Sequence, residues 1–252
     1  MQEIRLEQGK KIYFASDFHF GIPDYNATRT REIQICAWLD KVRTDAQVIF
    51  LMGDLFDSWM EYKRVVPKGS IRFLGKLANL ADEGIQIIVF TGNHDLWMHG
   101  YFEQEFNAIV YKKQQTFKIN DKLFHLAHGD GLCSKEKKYR LMKSIIQHPL
   151  SQFLYRQLHP DIGLRLADYF SRLGPKHKYQ DLAMKEDNKE YQILYANDYL
   201  KTSKIDFFIF GHRHIPLIKQ ITNECLFVNL GDWISFNTYA IFDGEELLLS
   251  KY

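Results

Sequence analysis

Cysteine is scarce in this sequence: Cys36, Cys133 and Cys225 are the three among 252 residues, odd in number and far apart. That excludes a disulfide framework, offers no thiol pair for a zinc knuckle or redox motif, and predicts a reducing, cytoplasmic setting. Proline is sparse as well, at six. No low-complexity stretch or internal repeat interrupts the chain, which excludes collagen-like and solenoid architectures. No run of about 18 apolar residues occurs, and residues 1–11 are polar and charged where an export signal would be apolar. Neither a spanning helix nor a standard leader is expected. Net charge is nearly absent too: 33 Lys plus Arg against 31 Asp plus Glu leaves +2. A nucleic-acid partner is therefore not expected, whereas attachment to a membrane surface needs only an amphipathic patch.

What is present is apolar residue, 46% of the chain, enough for one large domain over residues 1–252. Short β-rich runs at 11–16, 48–52 and 85–91 alternate with segments near 29–42 and 70–83 whose apolar residues recur at helical spacing, as Ile33, Ala37 and Leu39 do. This β-α-β-α-β order predicts a parallel sheet buried on both faces. After Val110 the strands shorten, at 116–119, 122–127, 206–210, 217–221, 226–230, 239–242 and 246–250, with hairpin breaks at Asn120-Asp121 and Asp243-Gly244. A second, more antiparallel sheet packed on the first is expected. Between 134 and 205 the chain turns helical, and residues 134–206 hold fourteen Lys or Arg against nine Asp or Glu, so charge is segregated. Pro149, Pro160 and Pro175 punctuate short helices there, with a longer one expected over 180–201.

Five clusters of hard-metal ligands fall at or just beyond predicted strand ends: Asp17-Phe18-His19, Gly53-Asp54 with Asp57, Asn93-His94-Asp95, His128-Gly129-Asp130 and His212-Arg213-His214. In an open α/β sheet the carboxyl ends of strands face one crevice, so ligands far apart in sequence converge. Asp, Asn and His without thiolate suit Mn²⁺, Fe or Zn²⁺, and seven such groups exceed what one ion needs, which implies two metals. His125, inside a strand, reads as a satisfied interior imidazole, and Trp59, Trp97 and Trp233 read as core or pocket wall.

In this order the clusters resemble the calcineurin-like metallophosphoesterase superfamily, whose signature is D-x-H, G-D-x-x-D, G-N-H-D/E, a later His and G-H-x-H. The resemblance implies a four-layer α/β/β/α sandwich. It implies that Asp17, His19 and His214 hold one metal, that Asn93, His128 and His212 hold the other, and that Asp54 bridges them. Two divalent cations about 3.5–4 Å apart would lower the pKa of a water and hold a phosphoryl oxygen for in-line attack. His94 would protonate the leaving oxygen or stabilise charge, with Asp95 also assigned to catalysis and Asp95 or Asp57 orienting an imidazole.

Segments 128–133, 147–173 and 228–233 are similar to the UDP-2,3-diacylglucosamine diphosphatase branch. That branch cleaves a pyrophosphate in lipid A synthesis at the cytoplasmic face of the inner membrane, with Mn²⁺ favoured. The similarity implies an acylated UDP-sugar substrate and an anionic membrane surface as partners. It also implies a helical cap at 134–205, and substrate contacts from Asn93, His94, Glu136, Arg140, Lys176, Lys178 and His212. Phe153, Leu154, Ile162, Tyr169 and Phe170 beside Arg156 and Arg165 supply the apolar and basic mixture an acyl-chain cap would use. Two positions depart from the branch: His94 stands where its best-known members have Arg, and Arg213 where a small residue is typical. A soluble phosphodiesterase or nucleotide hydrolase with the same metals, and a non-catalytic scaffold with the same fold, are the competing readings.

Overall fold

The computed structural model describes residues 1–173 and 189–252. The first sheet is built from β2 (Lys11–Ala15), β3 (Ala46–Leu51), β4 (Gln86–Phe90) and β5 (Ile109–Tyr111), paired in parallel. Helices α1 (Tyr25–Val42) and α2 (Ile71–Asp82) make the crossovers, and α3 (Tyr101–Phe106) precedes β5. Asp24 starts α1 by accepting the Ala27 N–H at 2.9 Å, satisfying one of the first-turn donors that have no partner within the helix. Its buried residues Ile35, Trp38, Leu39 and Val42 line one face, as Phe73, Leu77 and Leu80 do in α2.

The second sheet runs in the order β1 (Gln2–Ile4), β6 (Gln115–Ile119), β7 (Lys122–Leu126), β8 (Phe207–Phe210), β10 (Cys225–Leu230), β9 (Pro216–Thr222). The last hairpin, β11 (Thr238–Phe242) and β12 (Leu247–Lys251), extends the first sheet at β2, with Ala240 opposite Phe14. This corrects the expectation of a more antiparallel second sheet. Each sheet mixes three parallel pairings with two antiparallel ones. The chain covers the span from β7 to β8 as a long crossover, and a crossover returns the strand parallel.

Between the sheets lies an aromatic core. Phe14 stacks on Phe50 at 4.9 Å, and Phe50 meets Phe117 edge-on at 5.2 Å. Removing one such ring costs about 3–5 kcal/mol. On the outer face of the first sheet, α1, α2 and α3 bury Trp38, Phe73 and Phe102. On the outer face of the second, α7 (Tyr191–Tyr199) packs Ile193 and Ala196 against Phe208, Phe210 and Phe227. Four layers result, in the order α/β/β/α.

Helices α4 (Lys137–Ile146), α5 (Pro149–Arg156) and α6 (Pro160–Leu173) stand between β7 and α7. Pro149 and Pro160 each open a helix, where a missing N–H costs nothing. Within the expected insertion at 134–205, α7 packs on the second sheet. The expected long helix over 180–201 is also corrected: residues 180–188 lie outside the described residues, and α7 spans nine residues. Lys176 and Lys178 lie outside the described residues as well.

Candidate active site

Every predicted metal ligand follows the carboxyl end of a strand. Asp17 and His19 follow β2, Asp54 follows β3 and Asn93 follows β4, all in the first sheet; His128 follows β7 and His212 and His214 follow β8, in the second. The backbone there is bent hard. Asp17 (φ 58°), His19 (46°), Asp54 (52°), His212 (68°) and His214 (56°) all take the left-handed conformation, which non-glycine residues disfavour by about 1–2 kcal/mol each. Hydrogen bonds between the loops hold them: Asp17 N to Gly53 O at 3.0 Å, His19 N to Asp54 O at 2.9 Å, Gly211 N to His128 O at 2.8 Å and Trp233 N to Asp17 O at 3.2 Å. Gly211 is required, since a Cβ there would sit 2.5 Å from Asp17 Oδ2. Gly92 likewise lies against the Asp54 carboxylate.

The side chains form two groups, and Asp54 Oδ2 faces an imidazole of each, His19 and His128. Asp17, His19 and His214 bring their donor atoms together on one side; Asp54, His128 and His212 do so on the other. His214 Nε2 lies 3.2 Å from both Asp17 Oδ1 and His19 Nε2, and His19 Nε2 lies 3.7 Å from Asp54 Oδ2. Across the centre, His128 Nε2 is 3.3 Å from Asp54 Oδ2 and 3.3 Å from Asn93 Oδ1. The seven expected ligands are therefore brought into one cluster.

Each of three imidazoles is turned the same way by an acceptor behind it. His128 Nδ1 donates to the Met52 carbonyl at 2.9 Å and His214 Nδ1 to Asp232 Oδ2 at 3.1 Å, while His19 Nδ1 faces Asp57 Oδ1 at 3.4 Å. A proton held at Nδ1 leaves the Nε2 lone pair for the cluster, the arrangement typical of metal-binding histidines. Burial opposes charge on His128, yet the Asp54 carboxylate reverses this and pushes it up to about 10. Burial and then Asp17 act the same way on His214, also up to about 10. The neighbouring imidazoles hold Asp54 well below the usual carboxylate range, against its burial. His212 moves down to about 4, through burial and the adjacent His128. Asp17 Oδ1 is buried and faces His214 Nε2 at 3.2 Å and His19 Nε2 at 3.8 Å. A cage that gathers protons onto nitrogen atoms facing buried carboxylates fits divalent cations, which would displace those protons.

His94 groups with His19 and Asp54, and its Nδ1 donates to the Asp57 carbonyl at 2.9 Å. Asp95 is placed differently from the catalytic expectation. Fully buried, it accepts Gly92 N at 2.6 Å and Leu55 N at 2.8 Å, so its oxygens tie the Asp54 and Asn93 loops together and are already engaged. Asp57, unlike Asp95, faces imidazoles, those of His19 and His94. Glu136 is engaged by its own loop, accepting Cys133 N at 3.1 Å, and Arg140 is exposed on α4, so neither is brought to the cluster. Asp130 faces α4, accepting Tyr139 OH at 2.5 Å and Lys143 Nζ at 2.7 Å. Arg213 binds buried Glu190 at 3.1 Å and pins the start of α7.

Sequence reading missed two supports. Asp232 orients His214, and its signal was the same strand-then-Gly-Asp pattern seen at Gly53-Asp54. Gln192 on α7 donates to the carbonyls of Gly129 (3.3 Å) and Gly211 (3.0 Å) and accepts Asn229 Nδ2 at 2.9 Å, fixing both histidine loops of the second sheet. His125 is satisfied as expected, with Thr116 Oγ1 and Tyr195 OH each at 2.9 Å.

A family model for calcineurin-like phosphoesterase matches residues 10–216. The UDP-2,3-diacylglucosamine hydrolase of Porphyromonas gingivalis is 40% identical over 96% of this chain and 97% of its own length. A protein of the same name from a Shewanella species is 25% identical over 88% of this chain and 89% of its own. A dimetal phosphatase from Danio rerio superposes with a TM-score of 0.49 at 11% identity, covering 97% of this chain and 96% of its own. With its ligand loops in signature order, its shared Asp54 and a match spanning most of its length, the chain belongs to the calcineurin-like phosphoesterase family, as a metal-dependent phosphoester hydrolase.

Proposed function

We propose that the protein hydrolyses the pyrophosphate of UDP-2,3-diacylglucosamine, adding water across one P–O bond to give UMP and 2,3-diacylglucosamine 1-phosphate. Asp17, His19, His214 and Asp54 would hold one cation, and Asp54, Asn93, His128 and His212 the other. Bound cations supply electrostatic stabilisation of phosphoryl charge and acidify water. Mn²⁺ is our assignment, with Fe or Zn²⁺ admitted by the same oxygen and nitrogen donors. The chain's own part is orientation. His94, its Nδ1 proton held by the Asp57 carbonyl, keeps Nε2 for the leaving oxygen, and Asn93 and His212 line the place where the phosphates sit.

The observation that carries the substrate assignment is the apolar face of α4–α6. Leu141, Ile145, Leu150, Phe153, Leu154, Ile162 and Phe170 are each more than half exposed. Soluble monomers rarely leave such a patch bare. Exposed Lys137, Lys138 and Arg165 flank it with positive charge. We assign these helices as a cap that accepts acyl chains and rests on an anionic bilayer, at the cytoplasmic face of the inner membrane. Among the described residues no helix is long and apolar enough to cross a membrane. The likeness to the P. gingivalis hydrolase supports the same substrate.

The test is incubation with Mn²⁺ and UDP-2,3-diacylglucosamine in mixed micelles, reading UMP. UMP release is expected. Absence of UMP alongside rapid cleavage of a simple aryl phosphodiester would refute the lipid substrate and favour a soluble phosphodiesterase.

A further inference from the structure

The helices α4–α6 meet the sandwich through the edge-on rings of Trp97 and Tyr155, 4.8 Å apart, and through polar contacts. Arg156 Nε donates to the Glu61 carbonyl at 3.0 Å, and Trp97 Nε1 to the Ile146 carbonyl at 3.2 Å. A third contact ends on the reactive groups. The Ser171 hydroxyl, near the end of α6, donates to Asp57 Oδ2 at 2.7 Å and lies 3.4 Å from His94 Nδ1. Asp57 Oδ1 is 3.4 Å from both His19 Nδ1 and His94 Nδ1, and its main-chain carbonyl takes the closer bond to His94. One residue thus touches a metal ligand, the histidine nearest the cluster and the insertion.

Asp57 also borders a gap in the packing. A cavity of about 210 Å³ lies between the Asp57 loop and α6, walled by Phe20, Phe56, Trp59, Pro67 and Leu164. Apolar packing leaves the joint unfilled beside Leu164, and at the other end of α6 the hydroxyl-to-carboxylate bond of Ser171 links the helix to the Asp57 loop. A carboxylate with one oxygen fixed by a hydroxyl has its plane set, and its other oxygen is then aimed at the two imidazoles.

We propose that Ser171 is a positioning residue: seated α6 fixes the Asp57 carboxylate through the Ser171 hydroxyl, and Asp57 in turn fixes the ring of His94. A substrate held by the cap would then meet a histidine already aligned, and an unseated cap would leave the ring held by the Asp57 main-chain carbonyl alone. The reading rests on the general-acid role given to His94 above, and it does not depend on the lipid substrate.

The test compares Ser171→Ala and Ser171→Thr on two soluble diesters, one with a p-nitrophenyl and one with an alkyl leaving group. Ser171→Ala is expected to lower kcat about tenfold on the first and about a hundredfold on the second, because only the poor leaving group needs a well-aligned acid. KM stays unchanged, and Ser171→Thr, which keeps the hydroxyl, restores most of the rate. In a His94→Ala background, Ser171→Ala should cost nothing further. Equal losses on both esters, or an undiminished loss without His94, would overturn the proposal. A second readout needs no turnover: in ¹⁵N-histidine spectra Ser171→Ala should shift the His94 ring nitrogens and leave those of His125 in place. Unmoved His94 signals would overturn it too, whereas absence of UMP in the micelle assay would count only against the lipid substrate.

Discussion

Gly92→Ala tests the crowding of the two metal loops. An added Cβ would lie 2.5 Å from Asp54 N and 2.7 Å from Asp54 Cγ, and ordinary contact begins near 3.4 Å. Asp54 Oδ1 would be nearer still, so the carboxylate must retreat by at least about 0.7 Å. Productive geometry tolerates about 0.5 Å, and misplacement near 1 Å costs about a hundredfold in rate. That corresponds to about 2.7 kcal/mol of transition-state stabilisation. Overpacking adds a stability loss of about 1–3 kcal/mol. The assay is kcat/KM on an aryl phosphodiester with saturating metal, beside calorimetric metal titration and thermal melts. Gly75→Ala in α2 is the control: nothing lies within 4 Å of its Cβ, so the same change should stabilise by about 0.4–1 kcal/mol and leave activity alone. A Gly92→Ala enzyme with native rate and native metal affinity would refute the reasoning.

Chelation should lower the melting temperature, because bound cations select the folded cage. At about 100 times Kd the loss is about 2.7 kcal/mol, or roughly 5–10 °C for a chain of this size, and Mn²⁺ should restore it. His125, pushed down to about 4 by burial, stays neutral in the fold. Its contribution is complete above about pH 6.5 and is lost as pH falls toward 4, up to about 3 kcal/mol. Urea midpoints of His125→Gln should accordingly vary less between pH 7.5 and 4.5 than those of the native chain. Phe153→Asp with Leu154→Glu, both on exposed positions of α5, should leave folding and aryl-diester cleavage intact. Capture by anionic vesicles, read by co-sedimentation, should fall tenfold or more if those side chains enter lipid.

The convergence of these residues was legible because each stands in a short polar break directly after an apolar strand, and because Asp and His there have no packing role to explain them. The parallel order of β2, β3 and β4 followed from helical spacing between them. Three-residue strands such as β1 and β5 carry too little pattern to be read. Sheet membership of β11 and β12 was illegible for another reason: a hairpin's alternation tells that it pairs, not which distant edge it joins. Asp95 and Asp57 look alike in sequence, each a carboxylate near a ligand. Only the placement of backbone N–H groups around the first, and of imidazoles around the second, separates a loop tie from a histidine orienter. Ser171 carried no signal, since nothing periodic marks one hydroxyl among the polar residues of an amphipathic helix.

The cluster draws three ligand loops from one sheet and two from the other, and the aromatic core between them has no covalent bridge among the described residues. Ions seated there would act as rivets through the seam of the sandwich, so that sliding one sheet past the other shears the catalytic centre first. Mechanical resistance along that direction should depend on metal concentration, while peeling α1 or α2 from the outer face should not.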